Sequence, residues 1–204
     1  MFTLFLRTAN RLAVVVGGGA VGRRKASACL DGGFQVRVVD PAAAPLPGVE
    51  WVAKAYHADH LNGATVVVAA ATPTVNAIVV ADARRAGVPV CDAANPDAGD
   101  FDFPATVRHG DFTIAISTGG ASPALSRRIR NRIESEFGPE YGEWVAVLRA
   151  VRRRVLEVVP DAADRRRLLT AFADDRWLDR LREVGADKVL KEMLAGVEAA
   201  DGPV

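Results

Sequence analysis

Cysteine is scarce in this chain. Cys29 and Cys91 are the only two in 204 residues, lie far apart and form no CxxC pattern. That usage fits a reducing cytosol and reads as structural thiols rather than a redox pair. Net charge is nearly absent as well, with 26 basic residues against 25 acidic ones. No whole-molecule field therefore draws the chain to DNA or to an anionic membrane, neither nucleic acid nor membrane is expected as a partner, and any anion must be recognised locally. Long apolar runs are missing: the apolar stretch within Met1 to Asn10 is a few residues long, against the ~20 that span a bilayer, and no signal-peptide cleavage pattern follows. A cytoplasmic location is the expectation. There is no internal repeat and no low-complexity tract. What is abundant is hydrophobic residues, 50% of the total, enough to bury a core in one large domain or two small ones.

The first half alternates short β-branched runs with helical segments, a rhythm that calls for parallel strands joined by crossover helices. Leu12 to Val16 reads as a strand, Ala20 to Leu30 as a helix closed by Gly32 and Gly33, and Phe34 to Val39 as a second strand. After a Pro-rich turn from Pro41 to Gly48, Val49 to Val52 reads as a third. Thr65 to Ala71 is almost continuously apolar, as expected of a strand covered on both faces in the sheet centre. Thr72 as N-cap, Pro73 in the first turn and Gly87 past the end delimit the next helix, and Val88 to Cys91 supplies another strand. A polar loop from Asp92 to Asp100 leads to a hairpin, Phe103 to Val107 with Phe112 to Ser117. From Ser122 the pattern is helical, broken at Gly138-Pro139, around Pro160-Asp161 and at Gly185. Trp144, Val147, Leu148, Val151, Val155 and Val158 recur at helical spacing, forming either a packed helical layer or a subunit contact.

Gly17, Gly18, Gly19, Ala20, Val21 and Gly22 satisfy GxGxxG between a strand and a helix. The first glycine of the pattern permits a tight turn, the second lets backbone approach a pyrophosphate, the third allows close helix-to-strand packing, and the helix N-terminus faces the anion. A Gly-rich turn alone would be weak. Asp40, however, closes the second strand 40 − 17 = 23 residues after Gly17, near the ~20 at which a carboxylate meets the adenosine ribose. It would also repel a 2′-phosphate, and Pro41 rather than an arginine follows, so NAD is the expected cofactor. Thr72 should border the same ligand at the end of its strand, serve as N-cap, or do both.

A second constellation, Ser117 to Pro123, ends a strand and opens a helix that carries Arg127, Arg128, Arg130 and Arg132. Gly119 and Gly120, the hydroxyls of Thr118 and Ser122, and the guanidinium groups suit carboxylates or phosphates. Four arginines in six positions cannot all face one site, but Arg127 and Arg130 share a helix face.

With VVVGGGAVGRRKA from Val14, AATPTVN from Ala70, NPDAGDFDFPA from Asn95 and ISTGGASPALSRRIR from Ile116, the chain resembles the precorrin-2 dehydrogenase and sirohydrochlorin ferrochelatase family, the N-terminal module of siroheme synthases. The resemblance covers residues 1–150. It implies an α/β fold: a Rossmann-type NAD-binding domain over 1–112, a small mixed dimerisation and substrate region over 113–146, and a C-terminal helical region over 147–204. It further implies a homodimer and an oxidation of a tetrapyrrole, precorrin-2 to sirohydrochlorin, with Fe2+ insertion in some members. A flat substrate carrying eight carboxylates matches a cleft of amides and arginines. The Ser122 position is one where a family member can be phosphorylated, and capping of the Pro123 helix is its simpler role here.

One departure bears on mechanism. The loop aspartate proposed in many relatives for both activities aligns with Ala94. Asp92, Asp97 and Asp100 lie in the same loop and could replace it, Asp92 and Asp100 being the candidates taken forward, although loop aspartates commonly serve as solvated turn formers. Hydride transfer survives such a change more readily than metal chelation does, because the cofactor supplies the chemistry. His57 and His60 are three apart without a third ligand nearby, so no metal site is expected, and His109 beside Gly110 reads as a turn residue. Two other readings stay open: an NAD-sensing regulatory module without catalysis, and a family member that has lost activity.

Overall fold

The computed structural model describes residues 1–42 and 45–201. Residues 43 and 44 of the Pro41 to Gly48 turn lie outside that set. The chain forms two compact units, Met1–Phe103 and Pro104–Val204, dividing ahead of residue 112.

In the first unit, strands β1 (Leu12–Val16), β2 (Gln35–Val39), β3 (Glu50–Val52), β4 (Ala64–Ala69) and β5 (Val90–Asp92) form one parallel sheet in the order β3-β2-β1-β4-β5. β1 takes the middle place, with β4 beside it rather than at the centre. Helices α1 (Ala20–Asp31) and α2 (Pro73–Arg85) cover opposite faces. The strand alternation explains why: Ala13, Val15, Val36, Val38, Val66 and Val68 pack with Ala26 and Cys29 of α1. Val14, Val16, Val39, Val67 and Ala69 pack with Val79, Val80 and Ala83 of α2. A strand buried on both sides needs apolar residues at every position, hence the continuous runs. Because the chain crosses from the β3 side to β4 on the other side of β1, a switch point opens at the carboxyl ends of β1 and β4, where Rossmann-type sheets take ligands.

The second unit begins with an antiparallel hairpin, β6 (Ala105–His109) and β7 (Phe112–Ile116), His109 pairing with Phe112. Five helices follow: α3 (Pro123–Glu136), α4 (Glu140–Val158), α5 (Ala162–Phe172), α6 (Asp175–Val184) and α7 (Ala186–Asp201). Trp144, Val147, Val151 and Val155 of the apolar stripe are buried against Phe172, Leu178, Leu181, Val189, Met193 and Val197. The stripe is thus the inward face of α4, packed within its own chain. Each such buried valine contributes roughly 1.5 kcal/mol. A helix break not read from the sequence falls at Ala173, because Asp174 caps α6 by accepting from the Arg176 amide.

Candidate functional site

The glycine loop is built by exclusion of side chains. Gly17 has φ +108°, and a Cβ there would lie 2.4 Å from the Ala70 carbonyl oxygen. At Gly22 a Cβ would lie 1.8 Å from the Gly17 oxygen, so helix and loop meet backbone to backbone. Gly19, the N-cap of α1, has nothing within 4 Å of the same position. The pattern therefore closes at its two ends and opens in the middle, where Ala20 and Val21 are also exposed and the first helical amides face outward.

Asp40 stands at the end of β2 beside this loop. Its Oδ2 accepts the Gly18 amide at 2.6 Å and its Oδ1 accepts the Ala42 amide at 2.8 Å. These bonds fix the direction of its carboxylate, both of whose oxygens accept backbone amides. Pro41 is exposed next to it. Sequence spacing did not reveal Arg23, whose Nε donates to the Gly18 carbonyl at 3.0 Å and whose guanidinium lies 5.6 Å from the Trp51 ring centre. A cation therefore borders the loop although none follows Asp40. Nearby in α1, burial pushes the Lys25 ammonium below its usual pKa, and it sits 4.0 Å over the Phe103 ring.

Past β4, Thr72 caps α2 by accepting the Val75 amide, with its side chain exposed at the carboxyl edge of the sheet. Four residues on, Asn76 is 1% exposed. Its Oδ1 accepts the Ala71 amide at 2.9 Å, and its Nδ2 donates to Asp92 Oδ1 at 2.9 Å. Asp92, 6% exposed, ends β5 instead of opening a loop, and the same Oδ1 accepts the Ala94 and Asn95 amides. Asn76 went unread in the sequence, where a lone amide in an apolar helix was the available signal. Asp92 also borders a groove of about 340 Å³ lined by Pro73, Ala77, Val80, Arg84 and Asn95.

Asp100 is directed elsewhere. Its Oδ2 accepts the Val90 amide at 3.0 Å and its own amide bonds the Val90 carbonyl. These contacts tie it to the amino end of β5, away from the carboxyl edge that Asp92 occupies. Asp97 is exposed in a short 3-10 turn, Pro96–Ala98.

In the second unit, the Thr118 hydroxyl meets the Ser122 amide and the buried Ser126 hydroxyl, and Ser122 Oγ accepts the Leu125 amide. Both predicted hydroxyls thus order the turn and cap α3. Arg130 is held by Glu134 at 2.6 Å. Gly119 and Gly120 face open space, and Arg127 is exposed. His57 caps a 3-10 turn, Ala58–Leu61, and its amide bonds His60 Nδ1. Among the described residues no group of three or more His, Cys, Asp or Glu could hold a metal ion.

Residues 4–105, half of the chain, match the family model described as "Putative NAD(P)-binding", and residues 110–136 match one described as "Sirohaem biosynthesis protein central". The siroheme synthase of Methylococcus capsulatus is 34% identical over 171 residues, 80% of this chain and 36% of that protein. Siroheme synthase 1 of Aeromonas salmonicida is 31% identical over 98% of this chain and 46% of its own length. The chain belongs to the NAD(P)-binding family of the first model and shares with the siroheme synthases their NAD(P)-binding and central segments. It spans less than half the length of these siroheme synthases, 44% in that of Azotobacter vinelandii. The fold is likewise that of a solved structure described as "SirC, precorrin-2 dehydrogenase", with a TM-score of 0.71, 24% identity, and coverage of 95% of this chain and 98% of the other. Within the family, a nicotinamide cofactor fits the loop geometry above, since the residues that would collide with a pyrophosphate are glycines or lie in open space.

Proposed function

We propose that this chain is an NAD-dependent dehydrogenase of siroheme biosynthesis that oxidises precorrin-2 to sirohydrochlorin. The observation that carries the reading is Asp40 held against the Gly18 amide beside an α1 N-terminus with open space at Gly19. Gly17 to Gly22 would hold the pyrophosphate and Asp40 the adenosine ribose. NAD is favoured over NADP because a carboxylate at that place repels a 2′-phosphate. Bound NAD+ supplies the hydride acceptor. The chain's own part is to hold the substrate and receive the proton lost with the hydride.

For that proton Asp92 is the best-supported group. Three donors fix its Oδ1, which aims the carboxylate, and no bond to Oδ2 is seen among the described residues. Asp100, bound to Val90, is the weaker candidate. In the second unit Gly119, Gly120 and Arg127 are the groups offered to substrate carboxylates, while Thr118, Ser122 and Arg130 act by keeping the turn and α3 in place. Fe2+ insertion is less well supported, because Ala94 stands where many relatives carry the aspartate. We also propose a homodimer in the cytoplasm. Its interface must use surfaces other than the α4 stripe, which is already covered, and light scattering that reports a monomer at micromolar concentration would remove it.

The test is one anaerobic assay with precorrin-2 and NAD+, then Fe2+, followed by absorbance. NAD+ reduction in step with precorrin-2 loss is expected. Cofactor binding without turnover would favour the NAD-sensing module, a reading that gains weight from the three donors that hold Asp92 Oδ1.

A further inference from the structure

Among the described residues, six of the ten arginines from α4 to α7 stand in ion pairs. Arg149 bonds Asp111, Arg154 lies by Glu157 and Glu198, and Arg167 by Asp164. Arg176 lies by Asp174, Arg180 by Glu183 and Glu192, and Arg182 by Asp179 and Glu140. The exceptions from α4 to α7 are Arg152, Arg153, Arg165 and Arg166, which have no ion pair among the described residues. Three of these four line one groove between α4 and α5, about 510 Å³ in volume, with Leu156, Leu169 and Thr170.

The groove joins charge to an apolar floor. Leu156 is 45% exposed and supplies apolar surface between the arginines. Arg165 is steadied by its Nε, which donates to the Val159 carbonyl at the end of α4, and its outer guanidinium nitrogens make no hydrogen bond among the described residues. Asp164, adjacent to Arg165 in sequence, pairs with Arg167, and Asp161, four residues before Arg165, turns its Oδ1 to the Ala163 and Asp164 amides to cap α5. Like charges gathered on one groove repel one another, and a bound anion offsets that repulsion.

We propose that the groove between α4 and α5 is a second anion site, for an organic polycarboxylate with an apolar body. Carboxylates meet Arg152, Arg165 and Arg166 in forked hydrogen bonds, and the body covers Leu156 and Leu169. The site stands without the dinucleotide reading. Where that reading holds, the tetrapyrrole itself belongs to the class.

The probe is uroporphyrin, a stable octacarboxylic porphyrin, titrated by fluorescence anisotropy into the full chain at low salt. Arg152→Gln/Arg166→Gln should weaken binding, or abolish one of two binding steps, by at least about tenfold, as loss of two charge-assisted contacts implies. The charge-matched Arg153→Gln/Lys188→Gln should bind as the parent does. Raising ionic strength from about 0.05 to 0.5 M should erase most of the difference between parent and groove variant. Far-UV circular dichroism and the thermal midpoint should match the parent in both variants, which reports an intact helical unit, and unchanged NAD+ affinity separates failure here from failure of the dehydrogenase reading. Equal binding by parent and groove variant, equal loss in the control variant, or no porphyrin binding by the parent would each overturn the proposal.

Discussion

The side-chain amide of Asn76 donates to the carboxylate of Asp92 at 2.9 Å, with both residues buried, and so ties the first turn of α2 to the end of β5. Asp92→Ala leaves that amide and two backbone amides without an acceptor, which costs about 2 to 4 kcal/mol. Asp92→Asn keeps an acceptor oxygen for all three donors and removes only the charge. Chemical denaturation of the two variants separates structure from chemistry: a stable Asp92→Asn protein whose turnover falls by about 10² or more identifies a base, whereas turnover within about threefold of the parent leaves Asp92 as a loop organiser.

The glycine loop makes opposite predictions for two neighbouring positions. Gly22→Ala must displace the Gly17 carbonyl and is expected to lower stability and abolish NAD+ binding together. Gly19→Ala meets open space, so its thermal midpoint should match the parent within about 0.5 kcal/mol of stability. Its NAD+ affinity should nevertheless fall, because the added methyl group occupies the space a pyrophosphate needs. Thermal scans with and without NAD+ check both.

Cofactor choice rests on Asp40 against Arg23. Asp40→Ala should weaken NAD+ binding at least about tenfold, as loss of charge-assisted bonds to the ribose predicts. Because Arg23 lies against Gly18 and Trp51, the same change should raise relative NADP+ affinity, and adding Arg23→Gln should reverse that gain. Equal affinity of the unmutated protein for NAD+ and NADP+ would sink this account.

Burial raises the Cys29 thiol from the ordinary value of 9.0 to about 11. The folded state thus holds a proton that the unfolded state releases first. Stability from this group is fully present below pH 9 and is lost as pH rises toward about 11. Urea midpoints measured across that window should decline, and decline less in Cys29→Ala. Alkylation of Cys29 at pH 8 should be slow until the chain is unfolded.

Much of this was legible in the sequence where one local rule suffices. β1 lies where its apolar run predicts, Thr72 and Ser122 cap their helices, and the breaks at Gly138-Pro139 and Gly185 fall between helices. Edges moved where tertiary contacts decide. Val88, read as strand, instead closes α2 through its amide to the Ala83 carbonyl. Phe103, also read as strand, packs under Lys25 and against the α1 side of the sheet. Spacing could align Asp40 with the glycines, since the strand–loop–helix unit fixes both. It could not pair Asn76 with Asp92 or bring Arg23 to Trp51, because those meetings depend on how separate elements stack.

The buried clusters draw on disjoint stretches: residues 13–90 supply two of them and residues 144–197 the third. Ligand linkage then has a local reach. A dinucleotide that tightens the amides of β1 and β4 against hydrogen exchange acts on clusters that, among the described residues, share no member with the cluster of α4 and α7. The protection that NAD+ adds is expected to be concentrated in the first unit, as exchange measured residue by residue with and without the cofactor would read.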